Sequence, residues 1–186
     1  MANRVCPWWI GYLLVSPVRR CLGQDPIKIL SPYIREGMTV LEPGPGMGFF
    51  TIPAARMVGG SGKVIAVDMQ PKMIAGLKKR AVKAGVASRI DARVTSADTM
   101  GTNDLAAKVD FTLAFAMVHE FPDPGHFFAE VARASKPGAH VLLAEPRGHV
   151  KDQKFTAELD AAAAAGFSVV ERPAIPRSVS ALLVKK

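Results

Sequence analysis

Cysteine is nearly absent from this chain of 186 residues, which has only Cys6 and Cys21. Two cysteines close to one end do not make a disulfide framework, so a core must hold the fold, and a reducing, cytoplasmic setting is expected. A membrane-spanning run is missing as well. Residues 5–18, VCPWWIGYLLVSPV, are interrupted by Pro7 and Pro17. They fall short of the roughly 20 apolar residues that cross a bilayer. No small-residue cleavage site follows a basic start, so no signal peptide is expected. Repeats, low-complexity tracts and a composition shift that would mark a linker are also lacking.

What is present fits one globular domain. Hydrophobic residues make up 49% of the chain and charged residues 22%, and the length suffices for a full core. The net charge of +8 would suit nucleic acid or an anionic membrane surface. The charges are spread along the chain, however. Their densest cluster is Lys78, Lys79, Arg80 and Lys83. It shares a predicted helix with Met73, Ile74, Leu77, Ala81 and Val82, and reads as that helix's solvated face.

Apolar runs alternate with helical periodicity. Short buried strands are predicted over 40–42, 64–68, 90–95, 111–116 and 141–145. Helices are predicted over 49–58, 71–84, 124–134 and 155–165, with Asp123-Pro124 as a start signal and Pro137-Gly138 as a stop. Pro53 fits a helix that begins near Phe49, because first-turn N–H groups have no intrahelical acceptor. This alternation predicts an α/β fold, a doubly wound, mostly parallel sheet with helices on both faces. Residues 168–172 and 178–185 have no helix between them, only a loop with Pro173 and Pro176, so an antiparallel hairpin should end the sheet. The expected division is an N-terminal helical segment over 1–32 and a Rossmann-like body over 33–186.

Residues 40–50, VLEPGPGMGFF, carry the most specific chemistry. A glycine-rich turn between strand and helix lets a ligand lie against bare backbone. The dinucleotide fingerprint is G-x-G-x-x-G. Here Gly44, Gly46 and Gly48 bring the third glycine one place early, and Phe49 stands where it would be. Glu42 adds a carboxylate, which would repel a pyrophosphate and attract a cationic ligand. The loop therefore favours a nucleoside bearing positive charge. In a sheet of this kind ligands sit beyond the carboxyl ends of the strands. Asp68 ends the second predicted strand and can accept both hydroxyls of a ribose, or else cap the helix ahead of Pro71. Met69 follows, as an adenine contact or a core side chain. Ala97 and Asp98 follow the third strand, placed for an adenine edge or for a turn. Ala114 lies near the end of the fourth.

With these residues in place, the chain resembles the class I S-adenosylmethionine-dependent methyltransferases over about residues 33–186. Glu42, Gly44, Gly46 and Gly48 match that family's first motif, and Asp68 and Asp98 match its ribose-binding and adenine-contacting acids. Residues 117–146, MVHEFPDPGHFFAEVARASKPGAHVLLAEP, look like its small-molecule branch, which includes quinone-biosynthesis and arsenite enzymes. The resemblance implies S-adenosylmethionine as cofactor, S-adenosylhomocysteine as product and a small-molecule acceptor. RNA is a rival acceptor, but the fourth strand lacks an N/D-P-P-Y/F loop and no Pro-Cys nucleophile follows it. The shifted glycine and Glu42 argue against a nicotinamide-dependent oxidoreductase, while a non-catalytic cofactor-binding protein stays open.

Methyl transfer from a sulfonium mainly needs alignment of the nucleophile. A protic acceptor would also need a base. His119 and His149, past the fourth and fifth strands, are the candidates, each with a plain structural alternative: a hydrogen bond shaping the pocket floor, or a surface loop. Glu120 reads as a pocket-orienting residue. Trp8, Trp9 and Tyr12 are candidate acceptor walls on a lid, against the alternatives of a helix packed on the body or a weak membrane-surface contact. Cys6 could bind a soft acceptor or be an ordinary buried cysteine. No metal site is expected. The oligomeric state is not legible.

Overall fold

The computed structural model describes Gly11, Val15, residues 23–96 and residues 99–186. Seven strands form one sheet: β1 (Thr39–Pro43), β2 (Lys63–Asp68), β3 (Ile90–Val94), β4 (Val109–Phe115), β5 (Ser135–Pro146), β6 (Phe167–Glu171) and β7 (Ser178–Lys185). Their spatial order is β3-β2-β1-β4-β5-β7-β6. β1 pairs in parallel with both β2 and β4, so the order reverses between β1 and β4. Only β7 runs against the rest, between β5 and β6. The expected hairpin is therefore present, but its second strand is inserted and β6 forms the sheet edge.

The helices are α1 (Pro26–Leu30), α2 (Thr51–Met57), α3 (Pro71–Lys83), α4 (Pro124–Ala134) and α5 (Asp152–Ala164). Asp25 caps α1 by accepting from the Ile27 N–H at 3.0 Å, and Asp123 caps α4 by accepting from Gly125 at 2.8 Å. Pro53 sits in the first turn of α2, where a missing N–H costs nothing. α5 begins at Asp152, ahead of the apolar pattern that marks it in the sequence.

Pro137-Gly138 does something other than end a helix. α4 stops at Ala134, and Ser135 is already extended at φ −75°, ψ 139° and pairs with Val109. The next pair is Phe111 with His140, so the residues between bulge out, with Gly138 at φ 75°. Proline and glycine suit a bulge because one gives no ladder donor and the other adopts positive φ.

Strand alternation sends side chains to two cores. Leu41, Ile65 and Val67 pack with Phe127, Phe128 and Val131 of α4 and Phe155 of α5. Val40, Val64, Phe111 and Leu113 pack with Ile52, Ala54 and Ala55 of α2 and Leu30 of α1. Ile74 and Leu77 of α3 close on Ala66. Leu30 is fully buried, so the stretch ahead of residue 33 contributes to the body's core. Among the described residues, no helix is long and apolar enough to cross a membrane.

Candidate active site

The carboxyl ends of β1, β2 and β4 surround a cavity of about 320 Å³. It sits where the strand order reverses, the place a doubly wound sheet leaves open for a ligand. Pro43, Gly44 and Gly46 line it from the loop after β1, and Asp68, Met69 and Gln70 from the end of β2. Ala116, Met117 and Glu120 close the side after β4.

The three glycines divide the work. Gly44 and Gly46 have φ of 65° and 53°, in the left-handed region that side chains disfavour. A Cβ on Gly46 would meet no protein atom within 4 Å, so this backbone is bare toward the open cavity. A Cβ on Gly48 would come within 2.5 Å of Leu77 Cδ1. Gly48 does not line the cavity; it lets the loop close on α3. Glu42 is 4% exposed at the base of the loop and also lies outside the lining.

Asp68 stands at the end of β2, half-buried at the cavity wall. It accepts from the Gln70 N–H at 2.8 Å. Burial pushes its carboxyl above the usual range, while hydrogen bonds from the backbone N–H groups of Gln70 and Gly46 pull the other way. The carboxylate is thus tied to the glycine loop across two strands. Met69 is 40% exposed beside it and borders the cavity, so it is not a core methionine.

Ala114 is fully buried within β4 and does not reach the cavity. Its place is taken two residues on by Ala116, whose φ of 55° is unusual for a residue with a Cβ. The end of the strand gives the reason: β4 stops at Phe115 with both faces buried, and the positive φ of Ala116 turns the first loop residue out of the sheet. Ala97 and Asp98 lie outside the described residues, as do Cys6, Trp8, Trp9 and Tyr12. The loop holding Ala97 and Asp98 is nevertheless anchored. The buried carboxylate of Glu130, on α4, accepts from Thr99 Oγ1 and the Met100 N–H, both at 2.6 Å.

Past β4 the site has a second centre. Glu145, the penultimate residue of β5, is fully buried. Its Oε1 accepts from the N–H groups of Val118 at 2.8 Å and His119 at 3.3 Å. Its Oε2 lies 2.5 Å from His119 Nδ1. The Nδ1–H therefore faces the carboxylate, and Nε2 is left as the acceptor nitrogen. Burial pulls His119 toward its neutral form, yet Glu145 and then Glu120 outweigh burial and Lys154, and the ring's pKa ends above its ordinary value. Lys154 Nζ donates to the His119 carbonyl at 2.9 Å, which docks α5 on the same turn. His149 is exposed, its ring centroid 6.1 Å from that of His119. Neither histidine lines the cavity, although Met117 and Glu120 on either side of His119 do.

Two carboxyls of this centre have no motif to mark them. Glu145 is an acid ending a buried strand, the same signal that singled out Glu42. Glu158 is fully buried on α5, and neither of its oxygens has a hydrogen-bond partner among the described residues. Burial, then the charge of Glu145, pushes its pKa up to about 7, against the pull of Lys154 and His119. No group of three or more metal-ligating side chains occurs among the described residues.

A doubly wound sheet with bare glycine backbone and a cavity-lining acid at its switch point has the form of a nucleoside-binding α/β protein. The model of a methyltransferase domain family matches residues 34–174. The chain belongs to this family, the S-adenosylmethionine-dependent methyltransferases, and its cofactor is S-adenosylmethionine. It is 31% identical to the ribosomal protein L11 methyltransferase of Pelotomaculum thermopropionicum over 78% of its own length and 43% of that protein's. It is 30% identical to the arsenite methyltransferase of Halobacterium salinarum over 59% of its length and 27% of that protein's. The chain thus spans less than half of either relative. A S-adenosylmethionine-dependent methyltransferase from Aquifex aeolicus has the same fold, with a TM-score of 0.83, 24% identity and coverage of 97% of this chain and 98% of that one.

The residues present fit this cofactor. Gly44 and Gly46 offer bare backbone, Asp68 can accept from a ribose, and Met69 and Met73 give the cavity soft apolar walls. No pyrophosphate-length stretch of glycines is needed for a single nucleoside.

Proposed function

We propose that this chain transfers the sulfonium methyl of S-adenosylmethionine to a small-molecule acceptor, with His119 taking the acceptor's proton. The observation that carries the reading is the His119–Glu145 pair, set directly after β4 beside the cavity-lining Met117 and Glu120. Bound cofactor supplies an electrophilic methyl group. The protein's residues hold and orient. Gly44 and Gly46 admit the nucleoside to the backbone, Asp68 accepts from its ribose hydroxyls, and Ala97 and Asp98 contact the base. Glu42 sets a negative charge beneath a cationic ligand. Glu145 fixes the His119 ring and its tautomer, which leaves Nε2 as the ring's proton acceptor. His149 is a second proton acceptor at the mouth of the same region.

The acceptor side is roofed by residues 1–32. Gly11 supports this placement: it is buried, and a Cβ there would strike Met73 Sδ at 2.7 Å. Met73 also lines the cavity. Trp8, Trp9 and Tyr12 then wall the acceptor, and Cys6 meets a soft one. The curated relatives differ in acceptor, one being named for a ribosomal protein and another for arsenite. A screen of phenols, quinones, thiols, arsenite, ribosomal protein and RNA, scored by S-adenosylhomocysteine release, tests the reading. A small molecule should turn over fastest, and turnover only on RNA or protein would overturn it. Removing residues 1–20 should leave cofactor binding within about tenfold and abolish most turnover as water enters.

A further inference from the structure

The cationic cluster on α3 is not uniform. Lys78, Lys79 and Lys83 are exposed, as a solvated face requires, but Arg80 is only half-exposed. Arg80 lines a separate pocket of about 170 Å³ between α2 and α3. Arg56, from the last turn of α2, lines the same pocket. Val15, Gly48, Phe49, Ile52 and Pro53 form its remaining walls. Two arginines therefore share one small concavity, and among the described residues no acidic side chain lines it.

Arg80 Nε is buried with no hydrogen-bond partner. Burial lowers the pKa of the group, the direction expected for a cation desolvated without compensation. An arginine in a protein stays protonated. Neither Arg56 nor Arg80 takes part in an ion pair among the described residues. The N-terminal stretch that adjoins the pocket through Val15 has no counter-charge to offer. Residues 1–22 contain no aspartate or glutamate, and Arg4, Arg19 and Arg20 only add positive charge. The first acid of the chain, Asp25, is used to cap α1. A charge of this kind is costly to bury unless it is paired and hydrogen-bonded. Among the described residues nothing supplies that pair.

We propose that the pocket between α2 and α3 binds a phosphate-type dianion, held by Arg56 and Arg80. Two guanidinium forks match the charge and the tetrahedral oxygens of a phosphate, and either fork can bind two of its oxygens. The apolar walls, Phe49, Ile52 and Pro53, leave room for the body that carries the phosphate. Gly48 and Phe49 belong to the end of the glycine loop, so an occupant braces that loop from the side opposite the cofactor cavity. The site is distinct from the cofactor cavity: the two share no lining residue.

The test is titration of the whole chain with inorganic phosphate at constant ionic strength, read by calorimetry and phosphorus NMR line width. Saturable binding is expected, weakened roughly tenfold or more in Arg80→Gln and in Arg56→Gln, with Arg80→Lys intermediate because the point charge survives without the fork. Arg56 is exposed, so Arg56→Gln stands as a control that keeps the fold. Binding unchanged by both substitutions, or acetate binding as tightly as phosphate, would overturn the proposal. Vesicles containing phosphatidylglycerol provide the second arm. Arginine-dependent vesicle binding without saturable binding of free phosphate would assign the arginines to a lipid surface and overturn the small-anion site.

Discussion

The two halves of the sheet build their carboxyl ends in different ways. The β1–β2 half does so with backbone and a single carboxylate. Gly44, Gly46 and Asp68 lie at two adjacent strand ends, and one hydrogen bond, from the Gly46 N–H to Asp68, joins their loops. The β4–β5 half uses charged side chains brought together over long sequence distances. Glu145 receives Val118, His119 and the His119 ring from 26 or 27 residues away, and Glu158 adds a second buried carboxyl from α5. A half built of backbone tolerates little change of shape but has few charges to balance. A half built of buried charge tolerates little change of partner, because each member sets the ionisation of the next.

The largest effect is expected from breaking the charged half. Glu145→Ala leaves two N–H groups and a histidine without their buried acceptor. Stability should fall by about 3–5 kcal/mol, as for other broken buried pairs, measured by urea unfolding. A loss below about 1 kcal/mol would show that the turn after β4 is held by something other than Glu145.

The backbone half should respond in binding rather than stability. Gly46→Val points a branched side chain into the cavity, where no protein atom opposes it, so S-adenosylhomocysteine affinity should drop by about 100-fold, near 2.7 kcal/mol. Gly48→Val meets Leu77 instead and should destabilise the fold by about 1–3 kcal/mol through overpacking. If the two substitutions gave the same phenotype, the division of labour among the glycines would be wrong. Asp68→Ala should weaken the same ligand by about 1.5–3 kcal/mol through a lost charged hydrogen-bond acceptor.

Glu158 gives a subtler contrast, visible only in pH. Its folded pKa of about 7 exceeds the ordinary 4.5, so the folded state binds its proton more tightly than the unfolded chain does. That stabilisation is complete below about pH 4.5 and is lost as pH rises through about 7, by about 3 kcal/mol. Glu158→Gln should remove this slope and raise stability at neutral pH, as read in unfolding series across pH 4–8. A slope that survives the substitution would place the titration elsewhere. The smallest expected change concerns the reaction itself. The raised pKa of His119 means that a proton-accepting ring gains occupancy only above its ordinary pKa near 6.5. The rate of methyl transfer to a protic acceptor should therefore climb with pH through that higher value and level off, and His119→Asn should flatten the climb. An identical profile in the variant would remove His119 from proton transfer.

What could be read from the residues alone follows this contrast. Since burial of one face is a local pattern, alternating periods of two and 3.6 located every strand and the four longer helices within a few residues, except that β5 begins at Ser135, six residues ahead of its apolar run. The glycine loop and Asp68 were legible because they are adjacent to strand ends and use residue types with few other reasons to be there. Met69 was readable as a pair of alternatives, and its exposure decided between them. Ala114 was displaced by two residues because a strand's last core residue and the first loop residue look alike in sequence. The bulge at Pro137-Gly138 looked like a helix stop because the same two residue types serve both ends.

The sequence by itself determined the fold class, the family and the cofactor, because these rest on local periodicity and on a short motif whose backbone geometry only glycine permits. Tertiary structure alone decided the rest. It set Glu145 against His119, buried Glu158 beside them, anchored the loop after β3 on Glu130 and brought Arg80 and Arg56 to one pocket. Each of those assignments depends on which distant side chain shares a desolvated space, and charge–charge energies are set by that separation and burial, neither of which a linear pattern encodes.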